Sequence, residues 1–291
     1  MGIDNKNHLD NNPPLDPRIE SLAQGPITFE ATGDRQYPVI EGLGEVIDFG
    51  EVAEQQALAY ARGVMPETSL DLLSSEGSTA LILEDGTGLA FKLMRGNGYY
   101  SYTEDEAAGM TLMSNVGLAP KMHLLLDAHE DFRTDLIGTT PKREFGDVII
   151  PRQEVQGNLP MIVMDKVAAA SITTMPLDRV RGEFKRVVTI LSENGIAVLG
   201  DVEIVHDTAT GAATFIDLGG LYRVPNVAAW KDVPNEITHI IQPTFRRFAG
   251  GNRYGLGDKE IQAIINTNGL EGLAQRLVEA RIEHDSSMPP A

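Results

Sequence analysis

Apolar and polar positions alternate most clearly over residues 70–95, and the pattern predicts three short strands at 70–75, 80–84 and 89–94. Glu76-Gly77-Ser78 and Asp85-Gly86-Thr87-Gly88 supply the turn residues between them, so the three should pair antiparallel. The period then lengthens. A helix is expected over 103–115, with Thr103 as its cap, Glu104, Asp105 and Glu106 at its positive end, and Gly117 and Pro120 closing it. Residues 127–158 mix charges without a period and read as a loop-rich region. Met161-Ile162-Val163-Met164 is a continuous apolar run of strand length that ends in Asp165-Lys166. The strongest helical stripe follows: Leu177, Val180, Phe184, Val187, Val188 and Leu191 lie on one face, behind a start signal at 173–176 and ahead of Gly195. Two strands, 203–206 and 214–216, flank the turn Asp207-Thr208-Ala209-Thr210-Gly211 and predict a hairpin. Residues 234–283 read as helices, with Asp258 capping Ile261, Ile264 and Ile265, and with Leu270, Leu273 and Leu277 striping the last.

Upstream of the first sheet the pattern is thinner. A strand at 27–31 and a helix at 52–62 are expected as an addition, residues 26–69, packed on the following unit. Residues 1–25 are rich in Asn, Asp and Pro and read as a disordered segment, since they cannot offset their ordering entropy by burial. Neither a signal peptide nor a membrane span is expected. The Gly2 myristoylation pattern fails at Lys6.

A chain of 291 residues, 42% hydrophobic, suits one large domain or two lobes. The absence of cysteine excludes disulfides and thiolate-held zinc or iron–sulfur centres. A formal net charge of −18 argues against general binding to nucleic acid or to an anionic membrane. A nucleotide site would therefore need its own local positive charge. His8, His123, His129, His239 and His284 are too scattered to suggest a metal site.

Three elements carry candidate chemistry. Lys92 stands in Ala90-Phe91-Lys92-Leu93, Asp201 in Leu199-Gly200-Asp201, and Asp217 in Phe215-Ile216-Asp217-Leu218-Gly219, with the predicted hairpin between the two aspartates. A cation for phosphates, one carboxylate for an accepting hydroxyl and one for a divalent ion are the groups that phosphoryl transfer requires. Taken alone, Lys92 is equally the solvent-facing member of an alternating edge strand.

In this order the elements over residues 70–221 resemble the protein-kinase-like superfamily. The resemblance implies an α+β, two-lobed fold: a small antiparallel-sheet N-lobe at 70–164 and a reduced, mainly helical C-lobe at 165–291. It further implies ATP and Mg2+ as cofactors, Lys92 on the α- and β-phosphates, and Glu106, or Glu104, as its helix partner. Met164 takes the gatekeeper position, and the backbone of Asp165 and Val167 meets the adenine edge. Gly77 and Ser78 lie in a reduced glycine loop over the phosphates, Asp201 is the catalytic aspartate, and Asp217 is a metal ligand.

Departures from the family pattern matter as well. Leu199 and Gly200 replace the usual histidine and arginine, which removes a receptor for an activation-loop phosphate. The usual second metal ligand, an asparagine, is replaced by His206 on one alignment and by Glu203 on the other, and Glu203 is the residue expected to serve. These reductions resemble the minimal kinases that bacteria inject into host cells through type III secretion. They imply a monomeric protein kinase, cytoplasmic or exported by a bacterial system, acting on Ser or Thr, or on Tyr, of a protein such as a host chaperone. The alternatives are an antibiotic or sugar phosphotransferase, a pseudokinase binding module, or an AMP-transferring enzyme.

Overall fold

A computed structural model describes residues 29–32, 35–38, 61–62, 69–74, 80–94, 100–128, 150, 152–155, 160–198, 202–223, 240–251 and 255–287. The chain divides into two units, the first made of 1–103, 122–140 and 149–166 and the second of 104–121, 141–148 and 167–291.

In the first unit, strands β1 (Phe29–Thr32) and β2 (Arg35–Pro38) form an antiparallel pair. The principal sheet contains β3 (Asp71–Ser74), β4 (Ala80–Glu84), β5 (Leu89–Met94), β6 (Met122–Ala128), β7 (Arg152–Val155) and β8 (Met161–Asp165). Its order is β3-β4-β5-β8-β6-β7. The first five strands are antiparallel neighbours, and β7 adds in parallel to β6. The alternation that predicted β3 to β5 placed them correctly, because short turns hold sequential strands in register.

Strand β5 is interior, with β4 on one side and β8 on the other. Every described side chain from Leu89 to Leu93 is buried, Lys92 included. The edge-strand alternative for Lys92 is therefore wrong. Residues 127–158 are not all loop either: they hold the end of β6 and the whole of β7. Arg152-Gln153-Glu154-Val155 shows no alternation because an edge strand can be held by backbone pairing alone.

In the second unit, helix α1 (Tyr100–Asn115, whose first turn belongs to the first unit) begins three residues before its predicted cap. Thr103 thus lies inside the helix and is buried, and no acidic residue occupies the first turn. Helix α2 (Leu177–Glu193) buries Val180, Phe184, Val187, Val188 and Leu191 as its stripe predicts. Leu177 is the exception, being exposed at the first helical position, where the apolar stripe runs further than the packing that covers it.

Helix α2 packs on α3 (Gln242–Phe248) and α4 (Asp258–Ser287), with the Phe184 ring edge-on to Phe245 and Phe248 at centroid distances of 5.9 and 5.7 Å. Gly269, at φ 62°, breaks α4, which is therefore two helical runs. Asp258 is its first helical residue, and the Gly257 N–H is capped by the Glu260 carboxylate at 3.0 Å. Ile261, Leu273 and Leu277 are buried, while Ile264, Ile265 and Leu270 are only half-buried.

Arg281 of α4 is fully buried and donates to the carbonyls of Ile172, Phe248 and Thr173. Burial pushes its guanidinium below the usual value, an effect opposed by Asp285.

Short strands β9 (Ala169–Ser171), β11 (Glu203–Asp207) and β12 (Ala213–Ile216) form a second sheet in the order β12-β11-β9. Strand β10 (Ile196–Val198) pairs with β13 (Leu221–Arg223). The predicted hairpin is thus real and one residue longer on each side. The expected helix at 52–62 is described only at 61–62, and the expected strand at 27–31 appears as β1.

Candidate active site

Lys92 occupies the centre of the first unit's sheet, opposite Ile82 on β4 and Ile162 on β8. A lysine only 6% exposed among apolar neighbours is costly unless its ammonium serves a specific interaction. Two strands away from β4, Met164 is buried between Ala90 on β5 and Met122 on β6. Asp165 ends β8 with its side chain half in solvent, and its carboxylate accepts from His123 Nε2 at 2.7 Å. The Lys166 N–H donates to Gly88 O at 2.8 Å, and its ammonium pairs with Glu84. Gly77 and Ser78 lie outside the described residues.

The second unit carries the acidic candidates. Glu203 opens β11 and faces Ile216, the last residue of β12. Asp217 follows Ile216 directly, so the two carboxylate positions share the open end of one hairpin. Asp217 is the one non-glycine residue with positive φ among the described residues, at φ 57° and ψ 64°. That left-handed conformation costs an aspartate roughly 1 kcal/mol. The turn is held by its surroundings: Leu218, Leu221 and Phe215 are buried, and residues 218–220 form a single 3-10 turn.

Helix α1 braces the same turn. At Gly109 an added Cβ would stand 2.5 Å from the Leu218 carbonyl oxygen, so the backbones approach there as only glycine permits. Glu106, fully buried, lies one turn earlier on α1, whereas the Glu104 side chain is outside the description. The Phe215 N–H donates to Leu118 O at 2.7 Å, tying β12 to the segment that follows α1.

Helix α2 fixes the other end of the hairpin. The Glu183 carboxylate accepts from the Ala213 N–H at 2.8 Å and holds Arg186, which donates to Ala213 O at 2.9 Å and to Gly117 O at 3.3 Å. These brackets give the β12–Asp217 segment little freedom.

Asp201 lies outside the described residues, but its neighbour Val202 is anchored: Arg247 Nε donates to the Val202 carbonyl at 2.6 Å. Val202, Glu203 and Arg247, with Ser171 and Thr173, line a cavity of about 400 Å³. The alternative second ligand, His206, is buried and meets Thr174 Oγ1 through Nδ1 at 3.3 Å. Strand geometry sets the two apart, since His206 faces the far end of the hairpin, opposite Ala213.

The residue types at positions 203 and 217, which adjoin through the Glu203–Ile216 register, carry the hard carboxylate oxygens that magnesium takes. Among the described residues no group of three or more His, Asp or Glu gathers as a metal cluster. Motif reading missed Gly109, the Glu183–Arg186 pair, Arg247 and His123. Only Gly109 left a signal, as a glycine inside a helical pattern.

No protein-family model matches the sequence, and no curated protein aligns with it. Among solved structures, the chain is similar to an aminoglycoside-3'-phosphotransferase of type VIII, at 9% identity and a TM-score of 0.38, covering 81% of this chain and 93% of that one. It is also similar to the Cydia pomonella Granulovirus kinase PK-1, at 11% identity and a TM-score of 0.37, covering 74% and 89%. Along the chain, strands β3 to β5 with the buried Lys92, helix α1 with the buried Glu106, strands β6 to β8, helix α2 and the hairpin ahead of Asp217-Leu218-Gly219 follow one another in that order.

Proposed function

We propose that the protein is an ATP- and magnesium-dependent phosphotransferase, and that it acts as a protein kinase on a Ser or Thr hydroxyl. The observation that carries this reading is Asp217: a carboxylate held in left-handed backbone at a hairpin end, beside the strand position of Glu203 and braced by the helix that buries Glu106. Strain of that kind persists where the surrounding structure enforces it, and it concentrates at functional sites.

Lys92 supplies the local positive charge that an acidic protein needs to hold the α- and β-phosphates. Asp217 and Glu203 are the residues that would hold magnesium, which when bound neutralises charge on the β- and γ-phosphates. Asp201 orients the accepting hydroxyl and takes its proton as the hydroxyl oxygen bonds to the γ-phosphorus. The bond from that phosphorus to the β–γ bridging oxygen breaks, and ADP leaves. The Arg247 bond to Val202 O keeps the backbone next to Asp201 in place.

Incubation with γ-labelled ATP and magnesium tests the proposal. Wild type should label a lysate protein or itself, and Asp217→Ala should lower that labelling by at least about 100-fold, the scale of a group acting on transition-state charge. Equal labelling by the two proteins would sink it. The cavity beside Glu203 is within the size range of small-molecule sites and favours a second reading, a small-molecule phosphotransferase. Transfer to amino sugars or sugars without protein labelling would select that one.

A further inference from the structure

Strand β6 has one residue too many for its partner. Met122 pairs with Met164 and Leu124 with Val163, so a single step along β8 faces two steps along β6, and His123 is the extra residue of a bulge. A bulge turns its side chain out of the regular alternation and recurs beside functional sites. Here the turned side chain is 9% exposed, and its Nε2 meets the Asp165 carboxylate at 2.7 Å. Asp165 is the last residue of β8, and the next residue is tied twice more, by its N–H to Gly88 O and by its ammonium to Glu84. Three segments, β4, the β4–β5 turn and the β6 bulge, thus converge on the point where β8 ends.

A strand end of ordinary structural importance needs its ladder bonds and little more. We propose that His123 is a positioning residue for nucleotide binding: by holding the Asp165 carboxylate from a bulge, it sets the backbone of residues 165–167 to meet the edge of an adenine ring. The inference rests on the ATP-dependent function proposed above. It adds a residue that none of the kinase-like motifs contains. Backbone groups that recognise a flat base must be held within a fraction of an ångström, and a side-chain clasp achieves this without touching the ligand.

The test is a binding measurement on the full chain, calorimetric titration with ATP and magnesium, paired with thermal unfolding. His123→Leu keeps the buried volume and removes the donor. It should raise the Kd about 3- to 10-fold, the net loss expected from one ordinary hydrogen bond, since the Asp165 carboxylate is half in solvent. Asp165→Ala should weaken binding equally, the double variant no further, and His123→Gln, which restores an N–H donor, should recover most of the affinity. If His123→Leu fails to fold, Asp165→Ala, altered at a half-exposed side chain, carries the measurement.

Losses that add in the double variant, or affinity within about twofold of wild type in His123→Leu, would overturn the positioning role while leaving the function standing. A Tm that falls while Kd stays unchanged would reduce His123 to a structural residue and likewise overturn it. A wild-type chain that binds no nucleotide would remove the function itself, and the positioning role with it.

Discussion

Asp217 unites a conformational cost with a chemical role, and substitution can separate the two. Asp217→Gly should raise thermal stability, by about 0.5–1 kcal/mol in chemical denaturation, because glycine adopts positive φ without the Cβ penalty. The same change should abolish phosphate transfer. Asp217→Asn should keep stability close to wild type, since asparagine tolerates left-handed backbone, and should be equally inactive. A Gly variant that loses stability would show that the Asp217 carboxylate supports the fold by more than its backbone conformation costs. Glu203→Gln is predicted to raise the magnesium concentration needed for half-maximal transfer at least threefold while leaving Tm unchanged, because the side chain is exposed at a strand start. At this scale the sequence was informative where chemistry is spelled by residue type: Lys92, Glu203 and Asp217 all stand on the elements predicted for them. It was silent about His123, since a bulge is a mismatch between two strands and leaves no mark on either one alone.

Among the elements, those that announced themselves were the ones with a period. Strands β4 and β12 and helix α2 were legible because each presents one face to a core, and burial writes that face into the residue pattern, whereas β3, largely exposed, and β5, buried on both faces, were marked by the turn residues around β4. Strands β7 and β9 were not, because backbone pairing with a neighbour can define a strand whose side chains are exposed or polar. The start of α1 was misplaced for a related reason: Thr103 and Glu106 look like a capped, solvated helix end, but both are buried. The contact between α1 and the Asp217 turn was also invisible, since it is made by the absence of a side chain. Gly109→Ala would place a methyl group 2.5 Å from the Leu218 carbonyl, which is backbone and cannot rotate away. The predicted cost is about 1–3 kcal/mol by equilibrium denaturation, together with a fall in transfer rate as the Asp217 turn shifts. Gly182, on α2, offers the control: its added Cβ meets nothing, and Gly182→Ala should stabilise by about 0.4–1 kcal/mol.

For the whole molecule, 42 acidic against 24 basic side chains set a background of self-repulsion. Raising ionic strength from about 0.01 to 0.3 M should therefore raise Tm by screening that repulsion, unlike a protein held by exposed ion pairs, which would lose stability. A falling Tm would mean that pairs such as Arg181 and Lys185 with Glu271 outweigh the net charge. No helix among the described residues is long and apolar enough to cross a membrane.

Arg281 carries a consequence for how the chain is made. Its guanidinium reaches carbonyls 109, 108 and 33 residues earlier in the sequence. During synthesis those carbonyls of Ile172, Thr173 and Phe248 leave the ribosome long before their donor does. A nascent chain halted anywhere short of residue 281 must leave them to water, so protease resistance across 172–198 and 240–248 should switch on late and abruptly, when α4 emerges, rather than accumulate as each element is released.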